Sequence, residues 1–300
     1  MKTVLSVSLG SSKRNHCVET SFLGVPFRIE RIGTDGDLNK AMQIVRELDG
    51  KVDAFGLGGI DLYLYAGDRR YIIRDAYKIA RQAKMSPVVD GSGLKNTLER
   101  NVITFLQKNH GFDLRGKPVL MVCGVDRFGM AQSFVDAGAI VTFGDLVFGL
   151  GLPVPLKSLK SLERTAKVVA PVVCRLPFKF IYPTGKKQEK NSSRHRYLYY
   201  KADIIAGDYH YIKKYMPEEM PNKIVITNTV TKDDVEDLKR RGVKVLVTTT
   251  PELNGRSFGT NVMEGVLLAL AGKRPENMTE DEYSDLLAQT GFGPRVEYLN

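Results

Sequence analysis

Residues 118–145 read PVLMVCGVDRFGMAQSFVDAGAIVTFGD. The apolar run 119–123 suits a strand buried on both faces. It enters a glycine turn, CGVDRFGMA, and then a helix whose Ala131, Phe134 and Val135 would face the sheet. Gly138 precedes a second strand at 140–143, and Asp145 closes that strand 21 positions after Gly124. In a dinucleotide fold such a turn aims backbone N–H groups at a pyrophosphate, and an acid ending the second strand binds a ribose. Gly124 and Gly129 hold the first and third glycine places of G-x-G-x-x-G, while Asp126 stands in the second and adds bulk and negative charge. The expected cofactor residues are Gly124, Val125, Asp126, Arg127, Phe128, Gly129 and Asp145, with NAD favoured over NADP because Asp145 repels a 2′-phosphate. The same residues also allow a structural Rossmann-like unit that holds no cofactor.

Working outward, strand and helix alternate. Strands are expected at 3–8, 27–32, 52–57 and 87–89. Leu38, Ala41, Met42, Val45 and Leu48 recur at helical spacing and stop at Gly50, and a further helix carries Ala76, Ile79, Ala80 and Ala83. Leu94, Leu98, Val102, Phe105 and Leu106 predict one amphipathic helix bridging two halves. Beyond the quoted segment, strands are expected at 203–206, 224–227 and 243–247, with a helix over 232–241 ended by Gly242 and another near Ser161. Val262, Met263, Val266, Leu267 and Leu270 form an apolar helical face, and Thr279 with Glu282 supplies a capping box for a last helix. The expected fold is α/β with two domains. An N-terminal α/β domain of substrate type spans 1–93 and is rejoined by returning helices from about 260–290; a Rossmann-like, doubly wound parallel sheet spans 94–259.

With 300 residues, 43% of them hydrophobic, the chain can bury full cores. No apolar run approaches the roughly 18 residues of a membrane span, and the opening MKTVLSVSLGSS turns polar too early for a signal-peptide core. Cys17, Cys123 and Cys174 are far apart with no metal-ligand spacing, so a reducing cytoplasm is expected. His16, His110, His195 and His210 are scattered, and no metal is expected. The net charge of +10 suits either a polyanion or a small anionic molecule. Its densest cluster, Lys186, Lys187, Lys190, Arg194 and Arg196 in the loop 183–196, lacks a nucleic-acid-binding pattern and reads as a solvated basic loop. Nucleic acid and membrane partners are therefore not expected, and a homodimer is left open. Asp208 and His210 follow a strand's C-terminal end, where α/β ligands gather.

VVDGSGLKNTLE at 88–99, followed by FDLRGKPVLMVCG at 112–124, resembles the shikimate and quinate dehydrogenases. In that family a D-G-x-G segment precedes the interdomain helix and an L-x-G-K-x-V-L strand opens the cofactor domain. KADIIAG at 201–207 is similar to its fourth cofactor-domain strand. The chain as a whole resembles a bacterial family labelled quinate 5-dehydrogenase. The resemblance implies an NAD(P)-dependent oxidoreductase acting on a hydroxyl of a small carboxylated cyclic polyol such as quinate or shikimate, with Asp90 as its acid/base group. It also implies that Ser11, Ser12 and Lys13, within SLGSSKRNH, hold the carboxylate, and that Asn261 stands in for a substrate-binding glutamine, since Glu264 would repel an anion. Arg256, Ser257 and Thr260 gather before that helix. The family's catalytic lysine segment is not reproduced: AFGLGGIDLYLYAGDRRY offers Arg69 and Arg70, and arginine is a poor proton shuttle. An Asp-Gly turn capping the helix at Leu94 explains Asp90 without catalysis. The alternative function is a non-redox ligand-binding protein on this scaffold that has lost catalysis.

Overall fold

The computed structural model describes residues 1–66, 69–178, 194–253 and 256–300. Its N-terminal part comprises β1 (Lys2–Ser8), β2 (His16–Phe22), β3 (Val25–Gly33), α1 (Leu38–Leu48), β4 (Ala54–Gly58), β5 (Tyr63–Ala66), β6 (Arg69–Ile72), α2 (Arg74–Ala80) and β7 (Val88–Val89). Five of these strands form a sheet in the order β2-β3-β1-β4-β7, parallel except for β2. Side chains alternate across it, as the pleat requires. Leu5, Val7, Phe55 and Leu57 pack with Ala41 and Val45 of α1 and Ala76 and Ile79 of α2, while Val4, Phe27 and Ile29 face the opposite way. Asp37 caps α1 by accepting from the Lys40 N–H, which stabilises the helix by about 1 kcal/mol.

The chain continues as α3 (Ser92–Asn96), α4 (Leu98–His110), β8 (Pro118–Met121), α5 (Phe128–Asp136), β9 (Ile140–Phe143), α6 (Leu159–Val173), α7 (Arg196–Lys201), β10 (Ile204–Ala206), α8 (Tyr209–Tyr215), β11 (Ile224–Thr227), α9 (Lys232–Arg240) and β12 (Val245–Thr248). A short hairpin, β13 (Glu252–Leu253) and β14 (Arg256–Ser257), leads to α10 (Thr260–Ala271), α11 (Glu280–Thr290) and β15 (Arg295–Tyr298). The second sheet runs β15-β12-β11-β10-β8-β9, parallel but for β15. Val119 and Met121 pack with α4 and α5 on one face, and Leu120 and Val122 with α7, α8 and α9 on the other, so the sheet is doubly wound. The fold is α/β with mostly parallel sheets. α10, apolar apart from Thr260, Asn261 and Glu264, is buried along nearly its whole length and packs with Val4, Phe27 and Ile29 of the first sheet.

Three local expectations change. The predicted bridging helix is two helices, because the backbone breaks at Thr97, whose hydroxyl donates to the Gly93 carbonyl. The second sheet takes a strand from beyond residue 259, since β15 pairs antiparallel with β12. The hairpin β2–β3 turns at Leu23 and Gly24, both at positive φ, a turn without the usual Asn-Gly signal. Lys186, Lys187 and Lys190 lie outside the described residues; Arg194 is exposed and Arg196 opens α7. Among the described residues no helix is long and apolar enough to cross a membrane.

Candidate functional site

In each sheet the strand order reverses between two neighbouring parallel strands, β1 and β4 in the first and β8 and β10 in the second. Ligands of open α/β sheets bind outside the carboxyl ends of strands at such points. Both reversals open onto one cavity of about 300 Å3. Ser8, Gly10, Ser11 and Asp61 line it from the first sheet, and Cys123, Val125, Asp126, Arg127, Asp208 and His210 from the second.

At the floor, Lys95 of α3 donates to Asp61 Oδ1 at 2.6 Å and to Asp126 Oδ1 at 2.5 Å. Asp61 follows β4 and Asp126 lies in the glycine turn after β8, so one ammonium ties the two sheets together. Burial and the neighbouring Asp126 charge push Asp61 up to about 7, against the pull of Lys95. Burial opposes the charge on Lys95, but Asp126 and Asp61 outweigh it and raise its pKa well above the usual value. Arg127, 2% exposed, pairs with Asp126, with Glu99 at 3.1 Å and with Asp208 at 3.6 Å. Its guanidinium therefore spans the crevice from β8 toward β10. Burial pushes Glu99 up despite Arg127, whereas for Asp208 burial is outweighed by His210, Arg127 and Asn228, which hold its pKa down.

At the rim, Arg31 donates to Ser8 Oγ at 2.9 Å and to the Ser11 carbonyl at 3.1 Å. Arg14 lies 2.8 Å from His210 Nε2, a contact that joins the two sheets across the cleft. Burial lowers the His210 pKa, so the neutral ring accepts from Arg14. Ser11 and Asn261 line the cavity, and Asn261 donates to Ser6 Oγ. Ser12 and Lys13 fall outside its lining; the Ser12 N–H donates to Asp35, and Lys13 is exposed. The cations at the rim are Arg14 and Arg31, brought there by the loop after β1 and by β3.

Asp90 also borders the cavity, yet its carboxylate is engaged by the chain itself. Oδ2 accepts from the Leu62 and Tyr63 N–H groups and Oδ1 from that of Ser92. These are the bonds of a capping turn. They give Asp90 a structural task, and the carboxylates beside the lysine are Asp61 and Asp126. Lys95 was the missed residue. Its signal was a cation among Leu94, Leu98 and Val102 on a face that is otherwise apolar. Glu264 lies beneath the same turn, where it accepts from Gly91 N–H, Gly93 N–H and the Tyr283 hydroxyl.

Two amides of the glycine turn after β8 are engaged by the chain itself. Asp145 accepts from the N–H groups of Gly124 and Val125, at 3.0 and 2.9 Å. Asp126 adds a second carboxylate, and Arg127 fills the crevice. Gly124 has a packing role, since a Cβ there would sit 2.8 Å from Phe143 and 3.0 Å from Leu162. A Cβ on Gly129 would meet Arg100 at 3.1 Å, and Phe128 begins α5 against the core. Asp145 is thus a partner of the turn, and burial pushes it up to about 6. Among the described residues no group of His, Cys, Asp or Glu is arranged to hold a metal ion, and all three cysteines are free.

Fold and cleft define an α/β protein whose two sheets direct their carboxyl ends at one polar site. The chain belongs to the family described as "Domain of unknown function (DUF8754)", which matches residues 93–299. Residues 3–90 match a second, "Domain of unknown function (DUF8753)". No curated protein matches the chain in sequence. Solved structures similar to it include a galactofuranose binding protein, at 12% identity over 97% of this chain and 99% of that one, with a TM-score of 0.36. L-Tryptophan dehydrogenase from Nostoc punctiforme aligns at 10% identity over 96% and 80%, with a TM-score of 0.37. A glucose-galactose binding protein from Geobacillus stearothermophilus aligns at 9% over 99% and 97%, with a TM-score of 0.38. Likenesses this distant carry no argument about function.

Proposed function

We propose that the cleft binds a small hydroxylated organic anion through the chain's own side chains and without a dinucleotide. Arg31 and Arg14, beside Ser8 and Ser11, hold the anionic group; Asn261 faces its hydroxyls; Asp61, Lys95 and Asp126 form the proton-transfer group at the floor. The observation that carries this reading is the Lys95 ammonium held between two carboxylates, one from each sheet. A carboxyl that titrates near neutral pH beside a fixed ammonium can take or return a proton at a ligand hydroxyl. The resemblance of 88–124 to the shikimate and quinate dehydrogenases favours a cyclic polyhydroxy carboxylate. Residues 1–93 with α10 and α11 then act as one domain and the second sheet as another, with the ligand between them. The three free cysteines support a reducing, cytoplasmic setting.

NAD-dependent oxidation in the same cleft is the other reading, favoured by the order of strand, glycine turn, helix and terminal Asp145. Isothermal titration calorimetry separates the two. Quinate or shikimate is expected to bind, and Arg31→Ala to weaken that binding by about tenfold. NADH is expected to give no saturable heat. Saturable NADH binding, with or without the hydroxy acid, overturns the proposal in favour of the oxidoreductase.

A further inference from the structure

The cavity is not polar throughout. Its polar lining comes from β1, β3 and the loops after β1 and β4, and from Asp126, Arg127, Asp208 and His210 of the second sheet. Its apolar lining comes mainly from one stripe of α6: Leu162, Ala166, Val169, Ala170 and Val173 recur at helical spacing, and all line the cavity. Leu146, Leu150 and Leu64 extend this wall, and Leu150 remains 44% exposed although it faces the cavity. A hydroxylated anion alone would fill the arginine and aspartate end and leave these side chains against water.

We infer that the ligand is an amphipathic anion whose apolar group, an aromatic ring or a short hydrocarbon arm, lies along the Val169 and Val173 face of α6 while its charged, hydroxylated end meets Arg31. This rests on the anion reading of the cleft and deepens it. One feature supports an extension of the ligand over an unrelated apolar partner: the apolar stripe and the arginine end line one continuous cavity. Burying a phenyl group against such a wall removes enough apolar surface from water to tighten binding by about tenfold or more.

The test is a set of four calorimetric titrations on the full chain: lactate, 3-phenyllactate, propane-1,2-diol and 3-phenylpropane-1,2-diol, with quinate as a reference anion. The inference expects 3-phenyllactate to bind about tenfold or more tighter than lactate, and more tightly than its uncharged diol counterpart. Val169→Asn, which adds polarity without charge, should remove most of the gain from the phenyl group and weaken quinate far less. Val169→Ala, a milder change, should remove part of it, and thermal unfolding of both variants checks that they fold. Equal affinity for lactate and 3-phenyllactate, with quinate still binding, overturns the inference and leaves the anion reading standing. If the phenyl diol binds as well as 3-phenyllactate, or no acid binds at all, the anion reading itself falls and takes the inference with it.

Discussion

The chain holds two glycine turns that look alike in sequence and have been put to different uses. The first, Asp90 to Gly93, precedes α3; the second, Cys123 to Gly129, precedes α5. In both, a carboxylate from another segment takes the backbone N–H groups: Glu264 at Gly91 and Gly93, Asp145 at Gly124 and Val125. Burial raises both acids, Glu264 to about 7 and Asp145 to about 6. The difference lies in what surrounds them. Glu264 is 3% exposed and sealed by the Tyr283 hydroxyl, so the first turn is a structural joint between α3 and α10. Asp145, Asp126 and Arg127 border the cavity, so the second turn shapes a site. A glycine turn before a helix is therefore no evidence for a bound phosphate until its amides are known to be free.

The largest expected effect comes from the residue that links the two turns. Lys95→Met removes the ammonium between Asp61 and Asp126, leaves Asp126 to Arg127 alone, and should cost roughly 3–5 kcal/mol in chemical denaturation. A loss below about 1 kcal/mol would show that the ammonium does not hold the sheets together.

Gly91→Ala should come next. Gly91 has φ of +94°, and a Cβ would fall 2.4 Å from Thr260 Oγ1 and 2.9 Å from the Asn261 nitrogen, which is backbone and cannot yield cheaply. A loss of about 2–4 kcal/mol is expected. Gly124→Ala meets only side chains that can shift and should cost about 1–2 kcal/mol. The reverse order would mean that the second turn, and not the first, is the rigid joint.

Glu264→Gln leaves one of three N–H or O–H donors without a good acceptor and should cost about 1–3 kcal/mol. Its pH dependence has a definite sign. The folded pKa of Glu264 lies near 7, above the ordinary glutamate value, so the folded state binds more protons between those limits. Its contribution to stability is greatest below the unfolded value and falls as pH rises through about 7. The stability gap between wild type and Glu264→Gln should therefore shrink from pH 5 to pH 8; a gap that widens would contradict the assignment. Arg14→Ala should be the mildest change, within about 1 kcal/mol, because one half-buried hydrogen bond to His210 is lost.

Local signals carried much of the fold. The apolar spacing from Leu38 to Leu48 matches α1, and the Thr279 and Glu282 pair makes the capping box at the start of α11. The strand positions of β9 and β11 also follow from short apolar runs between turns. What escaped depends on distant pairing. β15, RVEY, alternates polar and apolar over only four residues, too few to mark a strand without the edge that β12 offers. At the site, Asp126 was legible as a residue out of place in a phosphate turn. Its partner Lys95 and the third member, Asp61, come from separate segments, and no spacing rule joins positions 61, 95 and 126. The motif around Asp90 was plain, but two of its three backbone partners, Leu62 and Tyr63, come from the segment after β4.

The central claim is that the cleft recognises a hydroxylated anion with its own arginines and carboxylates, its glycine turn already occupied by Asp145. The most direct test is calorimetric titration of the full chain with NADH and, separately, with quinate and 3-phenyllactate. The account predicts one-site binding of at least one acid, weakened about tenfold in Arg31→Ala, and no saturable heat from NADH. Saturable NADH binding would contradict it.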